Sequence, residues 1–423
     1  MGNRRSIVDH LESDYQKPIR DPLWKHIYVS EAIQKLLDAP ACRQLTRIKQ
    51  LGPAYLVYPG ATHTRMSHSL GVFDIARRMI RRLLAVSGDI DLSLEGVKAF
   101  LAAALLHDLG HFPYTHSFKE LPLLGHEVLT GQLVRSDPIR SLLRHELRTD
   151  AETVAAIVDT TIAVAPGGEV ALFRALLSGA LDPDKLDYLN RDAYFCGVPY
   201  GIQDIDFILS RLHANGHHGV ALESSGISAI ENILFSKYLM YRAVYWHRTV
   251  RVATAMIKKA VYQALRQEVI VPQDLYGLDD DLFFVQFARR DFLPFDLIRR
   301  VYDRVLHQPV WETAYDAAHP LHRDLTDMHR RHQLEDRIAA RLDRQLRPAV
   351  RPEAVIIDVP EDISFEVDLA VLHNGTLQDY RQSETVFTGR VVADFTRTLR
   401  RVRLMLSPEI AAEVRNPERL LES

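Results

Sequence analysis

Along most of the first 270 residues the apolar positions recur at helical spacing. A helix is expected from Glu31 to Leu37, interrupted at Asp38-Ala39-Pro40, with a second running from Arg43 toward Gln50. Between 68 and 86, Leu70, Val72, Ile75, Met79 and Leu83 fall roughly one turn apart with arginines opposite, which predicts an amphipathic helix. The stretch 94–108 is almost wholly apolar after Lys98, so its helix is expected to be buried on most sides and to end at Gly110 and Pro113. Ala165-Pro166-Gly167-Gly168 is a break. Residues 214–226 set glycines around Val220 and Leu222 and predict a short hairpin, followed by a long helix over 227–267.

The pattern changes after a loop-rich junction at 272–282. Residues 354–360 and 365–372 have strand composition, and 373–376 supply a turn with Gly375 where positive φ is easy. A last helix is expected over 392–406, with Arg397, Arg400, Arg401 and Arg403 forming a solvated basic face. The fold class expected is mainly α, a helical core with a small C-terminal α+β domain. The expected divisions are 1–270 for the core, 271–345 for a helical extension and 346–423 for the α+β domain.

Composition narrows the class. The 423 residues are 47% apolar and 25% charged, an ordinary globular balance, and the length allows a sizeable core without staples. A net charge of -3 argues against a surface built for nucleic acid. Cys42 and Cys196 lack metal-type spacing, which excludes a disulfide framework and a cysteine zinc site. No run reaches the roughly 18 to 20 apolar residues of a membrane span. The first residues have no apolar signal region, so a cytoplasmic location is expected.

Histidine is the informative residue. Six of the 19, at 63, 68, 107, 111, 116 and 126, fall within 64 residues, about twice an even spread. His107 and Asp108 close the apolar helix, where burying them is costly unless they are paired or bind a cation. Neighbouring helical residues diverge by about 100°, so both reach one metal only where a helix is ending. Imidazole plus carboxylate suits a divalent ion. His111 and His116 follow in the same exit, so some of these histidines can be ligands and others general acids or bases. In 181–192, Asp184, Tyr188 and Asp192 share a helix face beside Lys185, which suits a site taking both metal and phosphates.

Arg65-x-x-His68-Ser-Leu-Gly, His107-Asp108-x-Gly-His111-x-Pro-x-x-His116 and Asp184-Lys185-x-x-Tyr188-x-x-x-Asp192 together resemble the HD-domain metal-dependent phosphohydrolases. The likeness is greatest to the deoxynucleoside triphosphate triphosphohydrolase branch and covers about residues 17–270. It implies that His68, His107, Asp108 and Asp184 bind one divalent metal, with Mn, Fe, Mg, Zn and Co all open, and that Mg accompanies the substrate triphosphate. It implies Gln50, Leu51, Asp192 and Tyr245 around the deoxyribose, Arg65 on the α-phosphate, and Lys185 and Tyr188 on the triphosphate. His111, His116 and His126 are expected on the reacting side. Water would attack the α-phosphorus and His116 would protonate the departing 5′-oxygen. The branch also implies a homo-oligomer, dimer or tetramer, with a dNTP as partner; no membrane is expected, and nucleic acid stays open as a less favoured partner.

Three residues depart from that pattern. Lys119 stands where the branch carries an acidic residue that orients a catalytic histidine, with Glu120 and Glu127 as alternatives. Arg43 and Thr46 replace residues that read guanine in an activator site, although Asp38 is kept. Trp24 replaces a small or polar residue nearby. Hydrolysis of another phosphate ester (a nucleoside monophosphate, a signalling nucleotide or an oligonucleotide) and a nucleotide sensor with little turnover stay open beside the dNTPase reading.

Overall fold

The computed structural model describes residues 2–86, 90–216, 218–346, 349–365 and 367–421. Its centre is helix Arg65–Val86, which packs against helices Leu94–Leu106 and Pro183–Cys196. Ser93 caps the second of these by accepting from the Gly96 amide, and every residue from Ala99 to Leu106 is buried, as the uninterrupted apolar run requires. Asp182 caps the third helix, Pro183 occupies its first turn, and Gly197 ends it at φ 66°.

The end of helix Leu94–Leu106 is clamped by Thr130. Its hydroxyl accepts from the Gly110 amide at 2.8 Å and donates to the His107 carbonyl at 3.0 Å. This is possible because Gly110 has no side chain: a Cβ there would collide with the backbone of His126 and Thr130. The first turn of helix His126–Val134 is thereby held against the His107–His111 turn.

The expected 227–267 helix is not continuous. Helix Ile227–Met240 passes into a π-turn at Tyr241–Tyr245, and helix Arg248–Arg266 starts afresh. The wider turn brings both Tyr241 and Tyr245 to one cavity, and such local insertions recur at functional sites. Arg43–Gln50 is also not one helix: Pro40–Gln44 is helical, Leu45–Arg47 is a 3₁₀ turn, and Gln50 lies beyond it. A helix over Gly2–Ser13 and a hairpin of Lys17–Asp21 with Lys25–Val29 precede the core and were not foreseen.

The predicted hairpin near 214–226 is present as Leu212–Ala214 and Val220–Glu223. Strand Ala370–His373 pairs parallel to its second arm, and Thr376–Asp379 completes that sheet. A second sheet places Arg401–Leu406 between Gln308–Ala314 and Val355–Asp358. The α+β region therefore takes strands from all three expected divisions, and its sheets cross the boundaries at 270 and 345.

The last helix ends at Leu399, and 401–406 is a central strand. The basic helix face is corrected accordingly. Arg403 is buried between Glu312 at 2.7 Å and Asp358 at 3.5 Å, and the Arg400 guanidinium lies 3.9 Å from the Tyr315 ring centre. Arg397 stays at the surface beside Asp394, and Arg401 is likewise exposed, paired with Glu312 at 3.3 Å.

Buried ion pairs tie this region to the core. Arg251 donates to both oxygens of Asp358, at 3.0 and 2.5 Å. Lys259 meets Glu335 at 2.9 Å, while Lys258 and Arg331 converge on Glu120. No described helix is long and apolar enough to cross a membrane.

Candidate active site

Three helix ends converge on one point. Arg65 and His68 occupy the first turn of Arg65–Val86, His107 and Asp108 follow the end of Leu94–Leu106, and Asp184 lies in the first turn of Pro183–Cys196. His68 Nε2 is 3.0 Å from Asp184 Oδ1, which is 3.9 Å from His107 Nε2. His107 Nε2 is 3.4 Å from Asp108 Oδ1.

The ring orientations are fixed from behind. His68 Nδ1 is 2.8 Å from Asp187 Oδ2, and His107 Nδ1 is 3.0 Å from the Ala104 carbonyl. With each Nδ1–H donating outward, both Nε2 lone pairs face the Asp184 carboxylate. His107 Nε2 is buried and has no hydrogen-bond partner. Donors about 2.1 Å from a common ion and at right angles are about 3 Å apart, so these separations fit one divalent cation. The field agrees. Burial pulls the His68 imidazole down, yet Asp184 and Asp187 push it up to about 10, so positive charge is favoured there. Burial alone would raise the Asp184 carboxyl, but the hydrogen bond and charge of His68 hold it well below the usual range.

His111, His116 and His126 gather beside the candidate metal ligands. The His111 ring is 4.0 Å from that of His126 and 4.7 Å from that of His116. Burial, then the Arg65 charge, holds His111 and His116 well below the ordinary imidazole value. The His116 side chain keeps an exposed edge toward the cavity. His126 is likewise lowered, first by burial. Three neutral imidazoles can therefore stand side by side near neutral pH without mutual repulsion.

The carboxylate beside His126 is Glu127, 3.2 Å from its Nδ1. Glu120 is committed to Lys258 and Arg331. Lys119 follows His116 by three residues in a 3₁₀ turn, where such positions eclipse, and both line the cavity. Lys119 has no ion-pair partner among the described residues.

The cavity holds about 330 Å³. Gln50, Leu51, Arg65, Tyr188, Asp192 and Tyr245 all line it. Asp192 accepts from the Tyr245 hydroxyl at 2.7 Å and lies 2.9 Å from His63 Nε2. His63 stacks on Phe195, with ring centres 4.6 Å apart. Burial first, then Asp192, raises the Tyr245 phenol well above its usual value, so it remains a donor. Lys185 behaves differently from its expected place: its ammonium bonds Asp182 and the Gly179 carbonyl, and it is not part of the cavity wall.

Some contributors were missed in the sequence. Asp187 and His63 orient His68 and Asp192, while Trp246, Arg251 and Glu361 complete the wall. Asp187 was visible as an i, i+4 partner of Arg191. The reach of Glu361 into the cavity had no local signal.

The comparisons with known proteins meet this geometry. The HD domain matches residues 65–163, and the HD associated region matches residues 204–391. YwfO, an uncharacterised protein of Bacillus subtilis, is 32% identical over 320 residues, 70% of this chain and 72% of its own length.

The chain belongs to the HD-domain phosphohydrolase family.

The bovine deoxynucleoside triphosphate triphosphohydrolase SAMHD1 is 24% identical over 294 residues, covering 62% of this chain and 50% of its own length. A crystal structure of a hypothetical protein from Aquifex aeolicus aligns with a TM-score of 0.70 at 27% identity, covering 94% of this chain and 98% of that one. This HD protein is thus a phosphohydrolase of a class that uses a divalent metal, and the likeness to the Aquifex structure runs through the α+β region as well as the helical core.

Proposed function

We propose that this chain hydrolyses deoxynucleoside triphosphates at the α-phosphorus, releasing a deoxynucleoside and intact triphosphate. The observation that carries the reading is the Asp192 carboxylate, buried in the cavity wall and held by both His63 and Tyr245. A carboxylate so fixed can accept from a sugar 3′-hydroxyl, and the Tyr245 ring hydrogen-bonded to it would pack near C2′ and disfavour a 2′-hydroxyl. The dNTPase activity named for the bovine relative supports the same substrate class.

His68, His107, Asp108 and Asp184 would hold the ion, which when bound polarises the phosphoryl group and makes water more acidic. Arg65 donates to Asp108 at 2.6 Å through Nη1, and its buried Nε has no partner, which leaves it for an α-phosphate oxygen. Water adds its oxygen to the α-phosphorus as the bond to O5′ breaks. His116 protonates O5′, and His111 and His126 stand where the water's proton can be taken. The neutral state of His116 in the free chain suits this role only once a polyanion binds beside it and raises its affinity for a proton. Tyr188 takes part in triphosphate binding, and Lys185 does so if it turns from Asp182. We also propose a homo-oligomer, dimer or tetramer, which light scattering tests.

The free Lys119 beside His116 favours a second reading, a phosphate ester with an additional anionic group on the leaving side. Product analysis separates the two. Each dNTP and rNTP, singly and mixed, is incubated with Mn²⁺ or Mg²⁺. Deoxynucleoside with triphosphate is expected, and a requirement for a mixture would reveal an activator site. Monophosphate with pyrophosphate, or no turnover on any dNTP, counts against the dNTPase reading. Tyr245→Ala is expected to raise the rNTP-to-dNTP ratio of kcat/KM by about tenfold or more, as removal of a steric barrier does. An unchanged ratio removes Tyr245 from sugar selection.

A further inference from the structure

Behind the metal-binding imidazole of His68 lies a second layer whose most distant member is Trp24. The Trp24 indole Nε1–H donates to Asp187 Oδ1 at 2.6 Å across 163 residues of sequence. Arg191 donates to the same carboxylate through Nη2 to Oδ1 at 2.9 Å and through Nε to Oδ2 at 2.8 Å. Oδ2 also takes the His68 Nδ1 contact. A carboxylate offers about four acceptor positions, and here all four are filled. Asp187 and Arg191 are both fully buried.

The indole reaches this place because the hairpin end is itself anchored. Asp21 Oδ1 accepts from the Leu23 and Trp24 amides at 2.9 and 2.8 Å, and its Oδ2 takes Arg191 Nη1 at 2.8 Å. Gly71 makes room for the pair: a Cβ there would collide with Asp187 and Arg191. The donor is neutral, so it fixes the carboxylate without diluting the negative charge that His68 senses. A phenyl ring would fill much of the same space and provide no N–H.

We propose that Trp24 is a positioning residue for His68, acting through Asp187, so that the hairpin Lys17–Val29 helps set how tightly the site holds its ion. The proposal rests on the metal site described above. Carboxylates and their partners behind a ligating histidine commonly change metal affinity by 10- to 100-fold, and the loss of one donor of four belongs at the lower end, about tenfold.

The test is Zn²⁺ titration of the full chain against a competing chelator, for wild type, Trp24→Phe and His107→Ala, with melting of each metal-free protein alongside. Zn²⁺ bound equally by wild type and His107→Ala would overturn the metal site itself. With that control passed, the expected result is about tenfold weaker Zn²⁺ binding by Trp24→Phe at an unchanged metal-free melting temperature. Equal affinity, or weaker binding only in a protein that already melts lower without metal, assigns Trp24 to packing and overturns the proposal. A second readout needs no destabilising variant. In wild type labelled with 5-fluorotryptophan, the Trp24 resonance is expected to shift on Zn²⁺ binding while that of Trp311, on strand Gln308–Ala314, stays in place. A Trp24 signal indifferent to Zn²⁺ overturns the relay.

Discussion

His107→Ala abolishes metal binding and hydrolysis together. His107 offers a buried Nε2 with no other partner, and its Nδ1 is committed to the Ala104 carbonyl. Removing it takes one of the four proposed ligands from the arrangement. His111, the next histidine in sequence, meets the same Asp108 oxygen at 3.1 Å, but its ring packs with those of His116 and His126, whereas it is the His107 ring that packs against His68. The expected fall in kcat is on the order of 10³-fold or more, since roughly 4 kcal/mol of transition-state stabilisation is a modest share for a polarising ion. The fold should tolerate the change. The metal-free variant is expected to melt near the metal-free wild type, but the rise in melting temperature that metal gives wild type should vanish. Metal content, product release and the two melting curves check this. Substantial turnover by a variant shown to lack the ion would sink the proposed mechanism.

The parts of this site legible in the sequence are those fixed by local rules. The apolar run ending in His107-Asp108 announced a buried helix with costly polar groups at its end, and Gly110 announced the turn that lets them converge. The i, i+4, i+8 spacing of Asp184, Tyr188 and Asp192 placed them along one helix, and all three do line the cavity. What escaped were relations carried by distant segments. Nothing near Trp24 points to Asp187, and Glu361 reaches the cavity only after three strands from separate stretches have paired. The 392–406 misreading has a similar cause. Arginines at 397, 400, 401 and 403 mimic one helix face, whereas the near-complete burial of strand Arg401–Leu406 is set by distant partner strands, Gln308–Ala314 and Val355–Asp358. The π-turn at Tyr241–Tyr245 likewise leaves no mark in hydrophobic spacing, because one extra residue per turn is too small a shift to read among aromatic positions.

That nonlocal wiring carries the largest stability prediction. Glu335 is fully buried and meets Lys259 at 2.9 Å, the Ile357 amide at 2.6 Å and His332 at 3.1 Å. It joins helix Met328–Gln345 to helix Arg248–Arg266 and to strand Val355–Asp358. Glu335→Ala leaves the Lys259 ammonium, which is 2% exposed, without its counter-charge. Such a break costs about 3 to 5 kcal/mol, seen as a lower urea midpoint. Lys259→Met with Glu335→Leu should recover part of that loss, since no isolated charge remains. It should not recover all, because the Pro352 and Val355 carbonyls lose their Lys259 donor and the Ile357 amide loses its acceptor. The pH dependence follows from the same contacts. Burial alone would raise the Glu335 carboxyl, but Lys259 and His332 hold it far below the usual range. A depressed carboxyl stabilises fully above its unfolded pKa, about 4.3, and the contribution drains away as pH falls toward the folded value. Wild type should therefore lose stability below about pH 4 more steeply than Glu335→Ala, so that the two curves converge in acid. Parallel curves across that window would mean that Glu335 is not the charged partner of Lys259 in the folded chain.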